Sequence, residues 1–433
     1  MKSLLFATLA KSLQLLNGSL IIILSAIYLD KSNQGLLLTL NSFAAVQIFF
    51  ELGFASVILQ YVGHEKQHLT FDNALEFNGN SKNIQRLASI YRLASSWFNW
   101  GGLGCSCLLL IGGAIFFYDS EVSHWFIPLL ALAISVPLNL YSQKYWVVYE
   151  GFGYINYIYK LRTLSAAASL ITIISLFYFG NGLITPAVSS FFTFLFSQFL
   201  RLHKSEFWNS LKNIKNEKKQ TLIFFKEILS LQSRVSISYL CGFFMFQSIT
   251  PIIYKVSGAE DAAIVGIGMS AILILNSLLS TLVQIKIPHL LGLINKKEIF
   301  SYFDYGYKLI KITVIIAIIL SIFGGLFIYS LRFFSFNWLA TRLPDLPTYI
   351  CLMVASIINQ IVSIQATLTR LFKVEPYLFH SIILAVTTVV TMIFAASIGG
   401  PLQIAFSFLV ITLIISLPSS TFIFISERKK RTR

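Results

Sequence analysis

The chain has 433 residues, of which 56% are hydrophobic and only 12% charged, with 39 phenylalanines and a mean hydropathy of +0.74. A soluble domain carries about a quarter of its residues as charges, so a water-soluble globule, a disordered chain and a secreted disulfide scaffold are all disfavoured. What remains is a polytopic membrane protein whose few charges are lopsided, 33 Lys and Arg against 18 Asp and Glu for a net +15.

A membrane-crossing helix takes about 20 mostly apolar residues. Twelve such runs lie near 11–29, 36–62, 93–118, 125–148, 158–179, 183–203, 229–255, 261–285, 308–331, 347–370, 377–398 and 401–426. They are continuous rather than alternating, which predicts helices and not strands. Ahead of the first, Lys2-Ser3 and Leu4–Ala10 look like the start of a signal peptide. Lys11 interrupts that stretch and a full span follows, so no cleavage is expected. A polar connection at 63–92 follows the second span. Another, 204–228, follows the sixth, and within it Phe207, Trp208, Leu211 and Ile214 recur at helical spacing among lysines. That pattern predicts an amphipathic helix lying on an anionic membrane surface. Pro137, Pro251 and Pro418 fall inside spans and predict kinks.

The expected organisation is an N-terminal six-helix bundle at 1–203, a cytoplasmic linker at 204–228, a C-terminal six-helix bundle at 229–426 and a basic tail at 427–433. The halves echo each other: Tyr28-Leu29-Asp30 with Gly35-Leu36-Leu37 has a counterpart in Tyr254-Lys255-Val256 with Gly266-Ile267-Gly268. Equal span counts and that echo predict a parallel 6+6 repeat, as in many transporters. The fold class is therefore an all-α polytopic membrane protein of about 12 transmembrane helices.

With both termini in the cytoplasm, only four of the 33 Lys and Arg (Lys31, Lys255, Arg332 and Arg342) fall outside, together with six of the 18 acids. This is the positive-inside pattern, and it absorbs most of the charge excess. No nucleic-acid partner is implied, because no basic folded surface or RNA-binding aromatic motif appears. Cys105, Cys107, Cys241 and Cys351 all fall in spans and read as packing residues. His64-Glu65-Lys66-Gln67-His68 matches the H-E-x-x-H pattern of zinc proteases. A third ligand is needed, no segment supplies one, and a charged interfacial loop is the plainer reading, so neither a metal nor a cofactor is expected. No phosphate-binding Gly-Lys-Ser/Thr loop is present, which disfavours an ATP-driven pump.

Several short patches together resemble the Wzx-type polysaccharide flippases of the multidrug/oligosaccharidyl-lipid/polysaccharide exporter superfamily. They are Tyr28-Leu29-Asp30-Lys31-Ser32-Asn33-Gln34-Gly35, Phe50-Glu51-Leu52-Gly53-Phe54-Ala55 and Tyr149-Glu150-Gly151-Phe152-Gly153 in the first half. In the second half they are Val256–Asp261, Val265-Gly266-Ile267-Gly268 and Pro288-His289-Leu290. The likeness covers essentially the whole chain. It implies two six-helix bundles facing a central cavity, in a bacterial inner membrane. It also implies the task of moving an undecaprenyl-pyrophosphate-linked oligosaccharide between leaflets by alternating access. Partners would be that lipid-linked substrate, membrane lipids and other membrane proteins of polysaccharide assembly. Gly268 stands where the family pattern has Tyr, and Gln60-Tyr61 replaces an Arg that often ends the second span, so no family role is carried to those positions. Twelve spans rather than fourteen separate the chain from the lipid II branch. The competing readings are a drug or cation exporter of the same superfamily and, among enzymes, a polysaccharide polymerase or a membrane metalloprotease.

A pyrophosphate and its sugars need cations and hydrogen-bonding groups to cross hydrocarbon, and ionisable residues inside spans are costly enough to be functional candidates. Arg can grip phosphate oxygens bidentately and Lys acts as a point charge. The substrate-binding candidates are Arg234 (flanked by Ser233, Ser236 and Ser238), Lys11 and Lys144. Each has an alternative reading: Arg234 and Lys11 as side chains reaching back to the headgroups, and Lys144 as part of an interfacial Tyr/Trp belt. Glu51 is the acid set deepest in an apolar run and is either an ion-coupling residue or a structural partner. Pro251 is the candidate hinge. Asn17, Gln47, Asn276, Asn359 and Gln360, among others, add hydrogen-bonding groups that either tie helices together or line the path.

Overall fold

The computed structural model describes residues 2–71, 77–120, 122–214, 236–334, 340–372 and 374–432. Among them, 10 helices are long and apolar enough to cross a membrane, or up to 12 when each of two bent helix pairs is taken as one span. The molecule is thus the all-α polytopic protein expected from composition. Among the described residues, a short ribbon departs from this, β1 (Leu69–Phe71) paired antiparallel with β2 (Phe77–Gly79), where the sequence suggested a loop. Phe71 and Phe77 hold it down, each with its ring centroid 5.2 Å from that of Phe207.

The chain divides into two compact units, Met1–Tyr28 with Leu40–Leu240, and Leu29–Thr39 with Cys241–Arg433. The first contains α1 (Lys2–Tyr28), the end of α2 (Lys31–Ala44), α3 (Ile48–Glu51), α4 (Phe54–Lys66), and α5 (Ser81–Cys107) running through a π-helical turn into α6 (Gly113–Phe117). It continues with α7 (Phe126–Gly151), α8 (Ile155–Tyr178), α9 (Thr185–His203), α10 (Ser205–Asn213) and the first part of α11 (Ser236–Phe246). The second unit contains α12 (Ile249–Val256), α13 (Ala259–Asn295), α14 (Ile299–Phe333), α15 (Leu346–Arg370), α16 (Leu378–Ile398), and α17 (Pro401–Ile411) joined by a π-helical turn to α18 (Leu417–Thr432).

Residues 29–39 belong with the second unit for a local reason. Gly35 lies so close to the Ala259 carbonyl that any Cβ would collide with it. Lys31 approaches Glu260 at 3.9 Å, and Arg342 donates to the Leu29 carbonyl. Asp30 starts α2, accepting the Asn33 amide at 3.2 Å as an N-cap.

Burial runs opposite to that of a soluble protein. The most apolar span, α14, is the least covered by the rest of the chain, whereas α7 and α15 are among the most covered. Those two carry polar side chains inward: Ser135, Asn139, Ser142 and Lys144 on α7, and Ser356, Asn359, Gln360 and Gln365 on α15. Lipid solvates apolar surface, so polar groups must find partners inside the protein.

Both bent pairs have identifiable causes. The chain turns by 48° between the segments Lys31–Glu51 and Phe54–Lys66. Leu52 (φ 50°) and Gly53 (φ 73°) take the left-handed conformation there. The freed carbonyls are met by side chains: Trp97 Nε1 donates to Phe50 O at 2.8 Å and Ser236 Oγ to Leu52 O at 3.4 Å. The second bend, 42° between Ser236–Phe246 and Ile249–Val256, falls just before Pro251. Pro251 lies in the first turn of α12, where its missing N–H has no helical partner to lose. Within α18, Pro418 comes directly after the π-helical turn Thr412–Ser416, whose wider backbone accommodates the ring. Pro137 lies inside α7.

The amphipathic helix expected to lie on the membrane is α10, and it does something else. Its apolar face is buried in protein: Phe207 is 2%, Trp208 1% and Leu211 0% exposed. Phe207 contacts Tyr149 and Phe152, and Trp208 contacts Tyr91 and Tyr145. An aromatic surface offered by α5 and α7 outcompetes lipid for those rings. Ile214 ends the described part of the linker.

Candidate functional site

Four helices of the first unit place polar residues on facing stripes. On α1, Gln14 and Asn17 are three residues apart. On α7, Asn139, Gln143 and Trp146 follow i, i+4, i+7 spacing, and on α8 Arg162, Ser165, Ala166 and Ser169 do the same. α9 adds Ser189, Ser190 and Thr193. Residues at these spacings share one helix face. The four stripes line a half-open cavity of about 360 Å³.

Its chemistry is mixed and close to neutral. Arg162 is the charged residue of the lining, and it donates to Glu150 Oε2 at 2.7 Å. Tyr159 donates to the other carboxylate oxygen at 3.3 Å. The guanidinium also lies 5.6 Å from the Trp146 ring centre, within cation–π reach. The Ser169 and Thr193 hydroxyls donate back to their own helices, at 2.8 Å each, leaving only lone pairs for the cavity.

Among the described residues, three buried polar atoms of the lining side chains lack a hydrogen-bond partner. Asn17 Nδ2 donates to Ala166 O at 3.0 Å, but its Oδ1 has no partner among the described residues. Asn139 Nδ2 donates to Gln47 Oε1 at 3.2 Å, and its Oδ1 is likewise unmet. Trp146, 1% exposed, has an unmet Nε1 donor. Orphan polar groups in a protein interior are uncommon, and these three are closed off from the open space of the cavity.

Of the polar residues singled out from sequence, Asn17 lines the cavity, whereas the charged candidates lie elsewhere. Lys11 is exposed on α1, outside the cavity lining. Lys144 neighbours the cavity residue Gln143 in sequence but points away into packed protein. It is 3% exposed, donates to Asn99 Oδ1 at 2.8 Å and sits 3.5 Å from the Tyr141 ring centre. Tyr145 and Trp146 are 2% and 1% exposed, so they form packed interior and cavity wall instead of an interfacial belt. Glu51 is half-buried at the bend before Leu52, with no ion pair to Lys11 or Lys144 among the described residues. Arg234 lies outside the described residues.

The H-E-x-x-H pentad closes α4. Glu65 is turned inward, 1% exposed, with Arg86 Nε 3.3 Å from its Oε1, while His64 is exposed. Among the described residues, no group of three or more His, Cys, Asp or Glu side chains is arranged to hold a metal ion.

Sequence reasoning missed Arg162 and the serines of α8 and α9, and read Trp146 only as an aromatic neighbour of Lys144. The signal was present in the helical spacing of Asn139, Gln143 and Trp146 and of Arg162, Ser165 and Ser169. The sequence could not say that these stripes converge.

A bundle of long apolar helices with polar residues gathered inside is the architecture of a multi-pass membrane protein, and the comparisons place the fold more narrowly. A lipid II flippase in an inward closed conformation has a TM-score of 0.67 at 15% identity, covering 99% of this chain and 91% of that one. A MOP-superfamily transporter from Pyrococcus furiosus, described as having a reversed polarity of binding pocket, scores 0.60 at 13% identity, covering 100% and 95%. An inward-facing multidrug resistance transporter of the MATE family scores 0.57 at 12% identity, covering 96% and 98%. The fold is therefore that of the MOP-superfamily transporters. No family model matches the sequence, and no curated protein matches it either.

Proposed function

We propose that the chain is a flippase that moves a lipid-linked oligosaccharide, of the undecaprenyl-pyrophosphate type, across a bacterial inner membrane by alternating access with both termini in the cytoplasm. The observation that carries this reading is the half-open cavity in the first unit, lined by hydrogen-bonding residues. The charged side chain of its lining is a cation, Arg162, already held by Glu150. An exporter of cationic drugs would need acceptor charge there, whereas amides, hydroxyls and an indole suit a hydroxylated cargo. The likeness in fold to a lipid II flippase supports the same reading.

In this proposal Arg234 and Lys11 meet the pyrophosphate, Glu51 at the helix break couples an ion, and Pro251 beside the second bend is the hinge. Lys144 joins the cations only in a conformation that releases it from Asn99. Reconstituted protein with a fluorescent undecaprenyl-pyrophosphate oligosaccharide tests the reading. Accelerated exchange between leaflets, reduced by Arg234→Ala, is the expected result. No acceleration, together with uptake of a lipophilic cation by the same vesicles, would overturn it in favour of a drug exporter.

A further inference from the structure

We infer that His380, clasped between α16 and α18 in the second unit, is a proton-sensitive latch: the neutral ring closes α16 on α18, and the protonated ring releases them. None of the residues involved lines the cavity of the first unit or belongs to the groups proposed above to handle charge.

His380 is the third residue of α16 and is 7% exposed. Its Nδ1 lies 2.8 Å from Ser419 Oγ. The Ser419 hydroxyl gives its own proton to the Ile415 carbonyl at 2.5 Å. The hydroxyl oxygen therefore accepts from Nδ1–H, and Nε2 is left as a bare lone pair, buried and with no hydrogen-bond partner. The next two residues of α18 are clasped as well. Ser420 Oγ donates to Gln365 Oε1 of α15 at 2.6 Å, and Gln365 Nε2 donates to Thr421 Oγ1 at 3.3 Å. Tyr377 OH, just ahead of α16, donates to the Ser420 carbonyl at 3.3 Å.

A proton on Nε2 has no place in this packing. It would add a donor without an acceptor and a charge without a counter-charge, both costly inside protein. The first turn of a helix, the positive end of its dipole, also disfavours a cation. Neighbouring elements do not offset this. α17 and the π-helical turn contain no titratable residue. On α18 the first is Glu427, eight residues past Ser419 and held by Lys430 at 2.6 Å, with the basic residues farther on. Glu375 is held by Arg370 of α15 at 2.8 and 2.9 Å, and Tyr349 and Cys351 lie at the far end of α15. The Tyr377 ring centre is 5.7 Å from that of His380, but its hydroxyl is given to Ser420. α12 carries Tyr254 and Lys255 next to Ser257, whose Oγ meets the Ala396 carbonyl. That contact is sixteen residues from His380 along α16, or about 24 Å. The helix that must move is weakly tied at the right place: the π-helical turn Thr412–Ser416 ends three residues before Ser419, Ser416 Oγ is buried without a partner, and Pro418 has no N–H to give. Protonation and closure therefore exclude one another, and acid favours the parted helices.

The test uses the full-length protein in lipid nanodiscs, where both faces of the membrane see the same pH. Nitroxides are introduced at Phe379 on α16 and Phe422 on α18, both 75% exposed, and pulsed electron resonance reads the distance between them. From pH 8 to pH 5 a longer distance should gain at the expense of the closed one. The closed-to-open ratio should fall by up to about tenfold per pH unit below about 6.5, the ordinary value for a histidine freed from the clasp. His380→Asn keeps a donor for Ser419 in place of Nδ1 and takes up no proton, so its closed distance should persist at pH 5. His380→Gln serves the same purpose if His380→Asn does not fold. His289→Asn, at an exposed histidine of α13, should respond as the parent does. A parent distance indifferent to pH would overturn the inference. So would a pH response that survives in the His380 variants or disappears in His289→Asn. Leaflet exchange of the lipid-linked oligosaccharide is a separate readout: its absence removes the flippase and leaves the latch standing.

Discussion

Replacing Glu150 by Gln probes the Arg162–Glu150 charge pair at the cavity. The substitution keeps shape and the capacity to accept from Tyr159, but leaves the Arg162 guanidinium without its counter-charge. The pair is close, 2.7 Å, and its side chains are 27% and 15% exposed. It therefore stands between an exposed pair worth about 0–1 kcal/mol and a buried one whose breaking costs about 3–5 kcal/mol. A loss of about 2 kcal/mol is expected, read as a lowered midpoint of thermal unfolding in detergent. Most of that loss comes from the stranded cation, so Arg162→Gln added to Glu150→Gln should recover stability. A double-mutant cycle then gives a coupling energy of about 1–3 kcal/mol. The single variant should also bind inorganic pyrophosphate where the parent does not, because an unpaired Arg in a partly dehydrated cavity attracts anions. Equal unfolding midpoints for parent, single and double variants, with no gain in pyrophosphate binding, would refute the idea that this pair neutralises the cavity.

Other substitutions address the fold around it. Gly53→Ala should destabilise by about 1–3 kcal/mol, because Gly53 has φ 73° and a Cβ there would come within 2.8 Å of the Tyr239 ring; an unchanged unfolding midpoint would count against the strained break. Trp97→Phe removes the donor to the Phe50 carbonyl and should cost about 1–3 kcal/mol, measured the same way. Trp208→Ala should cost about 3–5 kcal/mol even in lipid-free detergent, since Trp208 is buried against Tyr91 and Tyr145; a loss confined to lipid-binding assays would restore the membrane-lying helix. Gly35→Ala should loosen the packing of α2 on α13, visible as new proteolysis near the start of α2, because no Cβ fits against the Ala259 carbonyl.

Particular residues mark how far the sequence could be read. The apolar runs are legible because each span must satisfy its own backbone groups and solvate itself in lipid, which is a local requirement. The bend before Pro251 is announced by a residue that cannot continue an α-helix. The bend at Leu52–Gly53 is less visible: Gly53 permits it, but Trp97 and Ser236 stabilise it from far along the chain. The same long range defeated the reading of α10. Its spacing correctly implied an amphipathic helix, and periodicity cannot distinguish lipid from the aromatic surface of α5 and α7 as the partner of its apolar face.

The charges divide along the same line. By itself the sequence determined that the protein lives in lipid, roughly where it crosses, and that its cations are unevenly placed, because hydropathy and charge sums are properties of segments. Only the tertiary structure decided which polar groups meet. Lys144 has the composition of a site residue, yet its ammonium is taken by Asn99 and Tyr141. Arg162 drew no notice in the sequence, yet Glu150, Trp146 and four helices make it part of a cavity wall. The physical reason is that the cost of a buried polar atom depends on its partners in space, and in this bundle those partners often come from other helices well separated in the chain, as Asn17 and Ala166 are.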